Sequence, residues 1–289
     1  MKRIILSLIC LLMIQGIVQA QGITWIDLSY KVVLNPANGL RPSGVTDADI
    51  DAAIEEMNQL QEAYFRGYRF RRVDPIRNVG GINQFNTGPS RWYNTNFFDS
   101  NNGSAWKDQM EAEAESNNNL YRWNNNAINL YITNGICGGI CSFPGGGDDI
   151  IIIGRCSDAD GALQLHEIGH YFDLCHTQGC PCGNCDGSKT GQCHTTPGND
   201  DIGDTLPDLQ CWDRDNIAQN SYGTNYNNLN SAQRKLVDDV FLNIMSYRSL
   251  NIISRITERQ IDHWSDVAKL NRQQVIDRNS FFVSKTSFF

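Results

Sequence analysis

Along this chain the apolar positions switch between two periods, and the switches mark out its elements. From Ile23 to Leu34, ITWIDLSYKVVL alternates β-branched and aromatic residues before the turn formers NPANGLRPSG, which predicts a strand. The spacing turns helical from Asp47 to Arg66, where Ile50, Ala53, Ile54, Met57, Leu60, Gln61 and Tyr64 share a side, Thr46 offers an N-cap and Gly67 a stop. YRFRRV, from Tyr68 to Val73, alternates again and ends at Asp74-Pro75. Gly80 to Ser104 is rich in Asn, Gly and Ser and predicts long surface loops with one or two short strands. Ala105 to Ser116 predicts a helix, followed by the polar loop SNNNLYRWNNN. Two more strands are expected at Ala127 to Thr133, AINLYIT, and Asp149 to Gly154, DIIIIG, with the glycine-rich loop Gly135 to Gly147 between them. That loop lacks the Lys-Ser/Thr ending of a phosphate-binding loop and the GxGxxG order of a dinucleotide site. A helix is expected from Asp158 to Phe172, capped by Ser157 or Asp158, with Ala162, Leu165, Ile168, Gly169 and Phe172 on its apolar side. ITERQIDHWSDVAKL predicts a late helix opened by the capping-box pair Thr257 and Gln260.

The helix at 158–172 carries the chemistry. His166 and His170 stand one turn apart and face the same way, as two imidazoles must to share one small cation, and Glu167 lies beside them. A catalytic zinc needs three protein ligands and an open position for a water whose pKa it lowers to about 7, and a neighbouring carboxylate can take that water's proton. HEIGH is the H-E-x-x-H pattern, with Glu167 as the base. The third ligand is expected to be His176, beyond the helix, so the chain must turn sharply after Phe172. Glycine makes such a turn without steric cost. Here the residue is Asp173, one of the next most tolerant types for the left-handed conformation.

Composition narrows the setting. The chain has 289 residues and 40% apolar content, enough for a sizeable core. MKRIILSLICLLMIQGIVQA reads as a signal peptide over 1–20, cleaved after Ala20, which predicts a secreted protein. Its apolar run is too short to span a bilayer, and no membrane insertion is expected. The net charge of −8 argues against nucleic acid. Of ten cysteines, Cys10 falls in the signal, leaving Cys137, Cys141, Cys156, Cys175, Cys180, Cys182, Cys185, Cys193 and Cys211. In an exported protein these predict disulfides, although CPCGNC with Cys193-His194 has the spacing of a structural zinc site. The odd count leaves one over. Asp200, Asp201, Asp204 and Asp208 form a solvated acidic loop or, as the alternative, a calcium site without EF-hand spacing.

HExxHxx(Asp173)xxH followed by NIMSY, Asn243 to Tyr247, resembles the metzincin zinc metallopeptidases. AINLYITNGICGGICSFPGGGDDIIIIG, HEIGHYF and DDIGDTLPD are most similar to its pappalysin family. The resemblance spans most of 23–270, and the zinc motif and methionine turn are its specific parts. It implies an α+β fold with a two-lobed catalytic domain. The upper lobe, 21–172, would hold a twisted mixed sheet, a backing helix and the active-site helix. The lower lobe, 173–289, would be irregular, disulfide-rich and closed by a C-terminal helix. It further implies one catalytic Zn2+ on His166, His170 and His176, Met245 as an apolar floor beneath the metal, and Tyr247 assisting the oxyanion. Protein or peptide substrates would lie extended along an upper edge strand, and the chain is expected to be a monomer. Asp74 could act as an aspartate latch, a role weighed against a plain Asp-Pro turn. Because Asp173 replaces the family's glycine, the alternative is a secreted binding or adhesion protein whose zinc site is silent.

Overall fold

The computed structural model describes residues 23–62, 67–80, 103–135, 138–141, 144, 149–155, 157–178, 200–209, 212–246, 248 and 252–276. Its centre is a sheet built from β1 (Thr24–Leu34), β2 (Tyr68–Arg72), β3 (Arg77–Gly80), β4 (Ile128–Thr133), β5 (Gly139–Ile140) and β6 (Ile150–Gly154). The order is β2-β1-β4-β6-β5, with β3 also paired to β1. All pairings are parallel except that of β5 with β6.

The sheet is covered on both faces, so its inner strands read as unbroken apolar runs such as IIII in β6. On one face Ile26, Leu28, Tyr30, Leu130, Ile132, Ile151 and Ile153 pack under α1 (Asp47–Leu60) and α4 (Gly161–Tyr171). On the other, Val33, Tyr131, Ile150 and Ile152 meet Met110 and Ala114 of α2 (Gly103–Ser116) and Tyr121 of the one-turn α3 (Asn118–Tyr121). The main core continues beyond the sheet into Ile244, Met245 and α7 (Glu258–Asn271), whose Trp264 stacks on Phe70 at 5.3 Å and on Phe172 at 5.2 Å. A third cluster joins α5 (Arg214–Tyr222) to α6 (Ser231–Phe241) through Ile217, Ala218, Val237 and Val240. Among the described residues no helix is long and apolar enough to cross a membrane.

The alternating and helical periods place the main elements well, with corrections at their ends. α1 stops at Leu60 instead of 66, and Asn58 near its end bonds both ways to the backbone of Phe70, at 2.8 and 3.0 Å, drawing the helix end onto β2. The expected caps Ser157 and Asp158 are not the caps of α4. Their carbonyls accept from the buried Gln164 amide at 3.1 and 2.8 Å, and Asp160 caps instead, its carboxylate accepting from Leu163 N–H at 2.8 Å. The start of α4 is set by α1, since a β-carbon at Gly161 would lie 2.6 Å from the Ala53 carbonyl oxygen. β3, α3, β5, α5 and α6 are not among the expected elements. α5 carries few apolar residues, and its legible signal is the capping box of Asp213 with Asn216, whereas α6, capped by Asn230 with Gln233, also carries Leu236, Val237, Val240 and Phe241 at helical spacing.

Candidate metal centre

His166 and His170 project from consecutive turns of α4, and the turn after it returns His176 to them. Asp173 takes φ 70°, the left-handed conformation that the sequence required of it. Around it Asp173 N–H donates to His170 C=O and Leu174 N–H to Gly169 C=O, both at 2.9 Å. These are the paired bonds of a Schellman helix end, in which the residue at positive φ lets the chain fold back on the last turn. The Asp173 carboxylate lies 3.5 Å from Nε2 of His263 on α7, with both side chains partly exposed.

The three imidazoles converge. Their Nε2 atoms lie 3.2 Å apart for His166 and His170, 2.9 Å for His170 and His176, and 3.3 Å for His166 and His176. Ligands about 2.0–2.1 Å from a tetrahedral zinc stand roughly 3.3–3.4 Å from one another, so the spacing suits one such ion. Among the described residues this is the cluster of three or more candidate ligands that comes together, within 4.8 Å. The orientation is enforced from behind. His170 Nδ1–H donates to Leu174 C=O at 2.7 Å and His166 Nδ1–H to Ile244 C=O at 2.6 Å, which leaves each Nε2 lone pair facing the shared point. Burial pushes all three imidazoles down, His170 to about 3, with the neighbouring rings adding to the shift at His170 and His176. They are therefore neutral at pH 7, the form that ligates.

Met245 lies fully buried beneath this group. A β-carbon on Gly169 would sit 2.5 Å from Met245 Sδ, so the glycine between the two helical histidines is what admits the methionine. The turn that carries Met245 is pinned by Asn243. Its Oδ1 accepts from Met245 N–H at 2.9 Å, and its amide donates to Gln260 Oε1 at 2.9 Å and Asp239 C=O at 3.0 Å. Met245 C=O in turn accepts from Thr177 N–H at 3.1 Å, one residue past His176. Gly169 and Asn243 are thus part of the site, although the motif reading did not single them out. The signals were the glycine inside HEIGH and the asparagine that opens NIMSY.

Glu167 is buried, and burial pushes its carboxyl up to about 8. A dication beside it would pull it back toward the ionised form. Tyr247 lies outside the described residues, as do Cys137, Cys156, the segment 179–199 with CPCGNC, and Cys211. Cys175 is buried between Leu174 and His176.

The four candidate calcium aspartates are spread over separate structural tasks. Asp200 is buried and accepts from Gln260 Nε2 at 2.9 Å, Ile202 N–H at 3.1 Å and the Thr205 hydroxyl. Asp204 accepts from Thr257 Oγ1 at 2.7 Å and Arg259 N–H at 2.9 Å at the start of α7. Asp208 pairs with Arg248 through both oxygens, at 2.6 and 2.8 Å. Asp201 is exposed at φ 60°. The Asp74 carboxylate accepts from Ser29 Oγ at 3.0 and 3.1 Å and from Asn124 Nδ2 at 3.3 Å, which ties the turn after β2 to the sheet.

No protein-family model matches the chain, and no curated protein matches it. Among solved structures it is similar to mirolysin in complex with "compound 9", with TM-score 0.51 and 17% identity over 91% of this chain and 98% of that one. Tannerella forsythia mature mirolysin with a cleaved peptide matches at TM-score 0.48 and 17% identity over 91% and 98% of the two chains. A Tannerella forsythia promirolysin mutant matches at 0.49 and 16% over 89% and 85%. This chain, with its sheet, covering helices and the helix that carries His166 and His170, has a mixed α/β fold similar to that of mirolysin.

Proposed function

We propose that this protein is a secreted zinc-dependent endopeptidase of the metzincin clan, of pappalysin type, whose mature form begins after Ala20. The observation that carries the reading is the convergence of three neutral Nε2 atoms within 3.3 Å of one another, with the Glu167 carboxyl on the same helix turn. The donor set among the described residues fits zinc: three imidazoles, with room in a tetrahedral shell for a fourth ligand. His166, His170 and His176 would hold the ion, which when bound supplies Lewis acidity and makes water nucleophilic at neutral pH.

The chain's own groups do the rest. The carbonyls of Ile244 and Leu174 set the tautomers of His166 and His170, so both rings offer a bare Nε2 to an ion. Glu167 accepts the proton of the attacking water and passes it to the departing amine, a role suited to a carboxyl whose surroundings keep it close to the proton-exchange range. Met245 and the core beneath it keep bulk water from the rear of the ligands. Peptide substrates would lie extended across the cleft, along the edge strand β5.

The silent-site alternative was motivated by Asp173. With that residue at φ 70° and both helix-end bonds formed, the replacement of glycine does not by itself favour a silenced centre. The deciding experiment is elemental analysis of the mature protein together with cleavage of an unstructured protein, with and without chelator. One zinc per chain with chelator-sensitive cleavage is expected, and Glu167→Gln should keep the zinc and lose nearly all hydrolysis. Zinc without cleavage in the wild type, or full activity in Glu167→Gln, would refute the assignment.

A further inference from the structure

β5 runs past the zinc-helix carboxyl with no side chain between them. Gly139 pairs antiparallel with Ile153 of β6, and Ile140 with Ile152. The chain is held in place just before the strand. Gly138 C=O accepts from Gly154 N–H at 2.9 Å, Gly138 N–H donates to the buried Ser157 Oγ at 3.1 Å, and Gly135 C=O accepts from Arg155 N–H at 3.3 Å. A β-carbon built on Gly139 would lie 2.5 Å from Glu167 Cγ and 2.9 Å from both Cδ and Oε1. Ordinary carbon contacts begin near 3.5 Å, so the two cannot coexist as placed. Gly139 is not among the glycines at positive φ, so its backbone conformation is open to any residue and only the space is restrictive.

From this we infer that Gly139 is a positioning residue for Glu167: its bare backbone forms the wall against which the carboxylate side chain is set. The inference rests on the reading of Glu167 as the proton-transferring base. The strand is fixed by its pairing with β6 and, just before it, by two backbone–backbone bonds and one bond to the Ser157 hydroxyl, whereas Glu167 has rotatable bonds, so a methyl group at 139 moves the side chain and leaves the strand. Relieving a 2.5 Å contact takes a shift of about 1 Å, a small burden on stability and a large one on proton transfer, where a misplacement of that size can cost about 10²-fold. A residue in contact with substrate alone would act on binding instead.

The test compares the full-length mature forms of wild type, Gly139→Ala, Glu167→Ala and the double variant. Gly139→Ala should bind one zinc per chain and hydrolyse peptide with kcat lowered by about 10²-fold at little changed KM. Its thermal midpoint should fall by about 2–4 °C, and that fall should vanish in the Glu167→Ala background, where the clashing atoms are gone. A crystal structure of Gly139→Ala should show β5 unmoved and the Glu167 carboxylate displaced. Wild-type kcat in Gly139→Ala, a change confined to KM, or the same loss of midpoint with and without the Glu167 side chain would each overturn the inference. Should wild type itself show no chelator-sensitive hydrolysis, the peptidase reading fails, while the stability cycle and the crystal structure still decide whether Gly139 sets Glu167.

Discussion

Replacing Asp173 tests whether the turn to His176 is built as described. At φ 70° an L-residue bears roughly 1–2 kcal/mol of steric cost, less for Asp and none for Gly. Asp173→Gly removes that cost and takes a carboxylate away from the negative end of α4, worth about 0.3–1 kcal/mol. Against this, the unfolded chain gains freedom worth roughly 0.4–1 kcal/mol. The 3.5 Å pair with His263, whose partners are 37% and 40% exposed, is lost too, which after solvent screening amounts to about 0–0.5 kcal/mol. The terms nearly cancel, so the glycine variant should melt within about 3 °C of wild type. Asp173→Ala shares the charge effects and keeps the left-handed strain, which places it roughly 1 kcal/mol below Asp173→Gly, or about 2–4 °C in midpoint. Calorimetry of the zinc-loaded chain reads the difference, and peptide cleavage by the glycine variant should stay within about 3-fold of wild type. An alanine variant as stable as the glycine variant would show that residue 173 does not hold positive φ, and the argument for the Schellman turn would fall.

Three further outcomes follow from the same contacts. Gly169→Ala gains about 1 kcal/mol of helix propensity but drives a methyl group into Met245, an overpacking of about 1–3 kcal/mol, so it should lower both stability and zinc retention, and that loss should shrink or vanish when measured in a Met245→Ala background. The same loss in both backgrounds would mean the methionine does not press on the helix. Arg248→Met strands the buried Asp208 carboxylate and should cost about 3–5 kcal/mol in denaturant unfolding, with Asp208→Leu added on top being milder than the single change; equal losses would deny that the uncompensated charge is the cause. Burial lifts the Asp200 carboxyl to about 6. The folded state therefore holds a proton that the unfolded chain has lost, and this contribution to stability is complete below about pH 4 and disappears as pH rises through about 6. The stability of wild type relative to Asp200→Asn should fall as pH rises across that window, and a pH-independent difference would remove Asp200 from the buried network.

The chemistry of the centre was legible because it is local. His166, Glu167 and His170 are ordered by a single helical turn, so their spacing in sequence is their spacing in space. The same holds for the inner strands, where burial on both faces makes each an unbroken apolar run, and for the capping pair Thr257 and Gln260, whose reciprocal bonds form as expected. The ends of α1 and α4 were misplaced because they are set by Asn58 on β2 and by Gly161 against Ala53, contacts between segments far apart in the chain. The spacing of the motif also predicted that Asp173 must turn the chain, since His176 could reach the other two by no other route.

What the sequence by itself determined was the set of groups able to hold a metal and the carboxyl that stands beside them, since these follow from residue type and helical period. Tertiary structure alone decided how they are held. The carbonyls of Ile244 and Leu174 behind the imidazoles, Asn243 and Gln260 beneath the methionine turn, and bare glycines at 169 and 139 against Met245 and Glu167 come from segments up to 78 residues apart. Whether a glycine is a hinge or a clearance, and whether an asparagine is a surface loop or a clamp, depends on which neighbour the fold brings within bonding distance, and no local pattern encodes that distance.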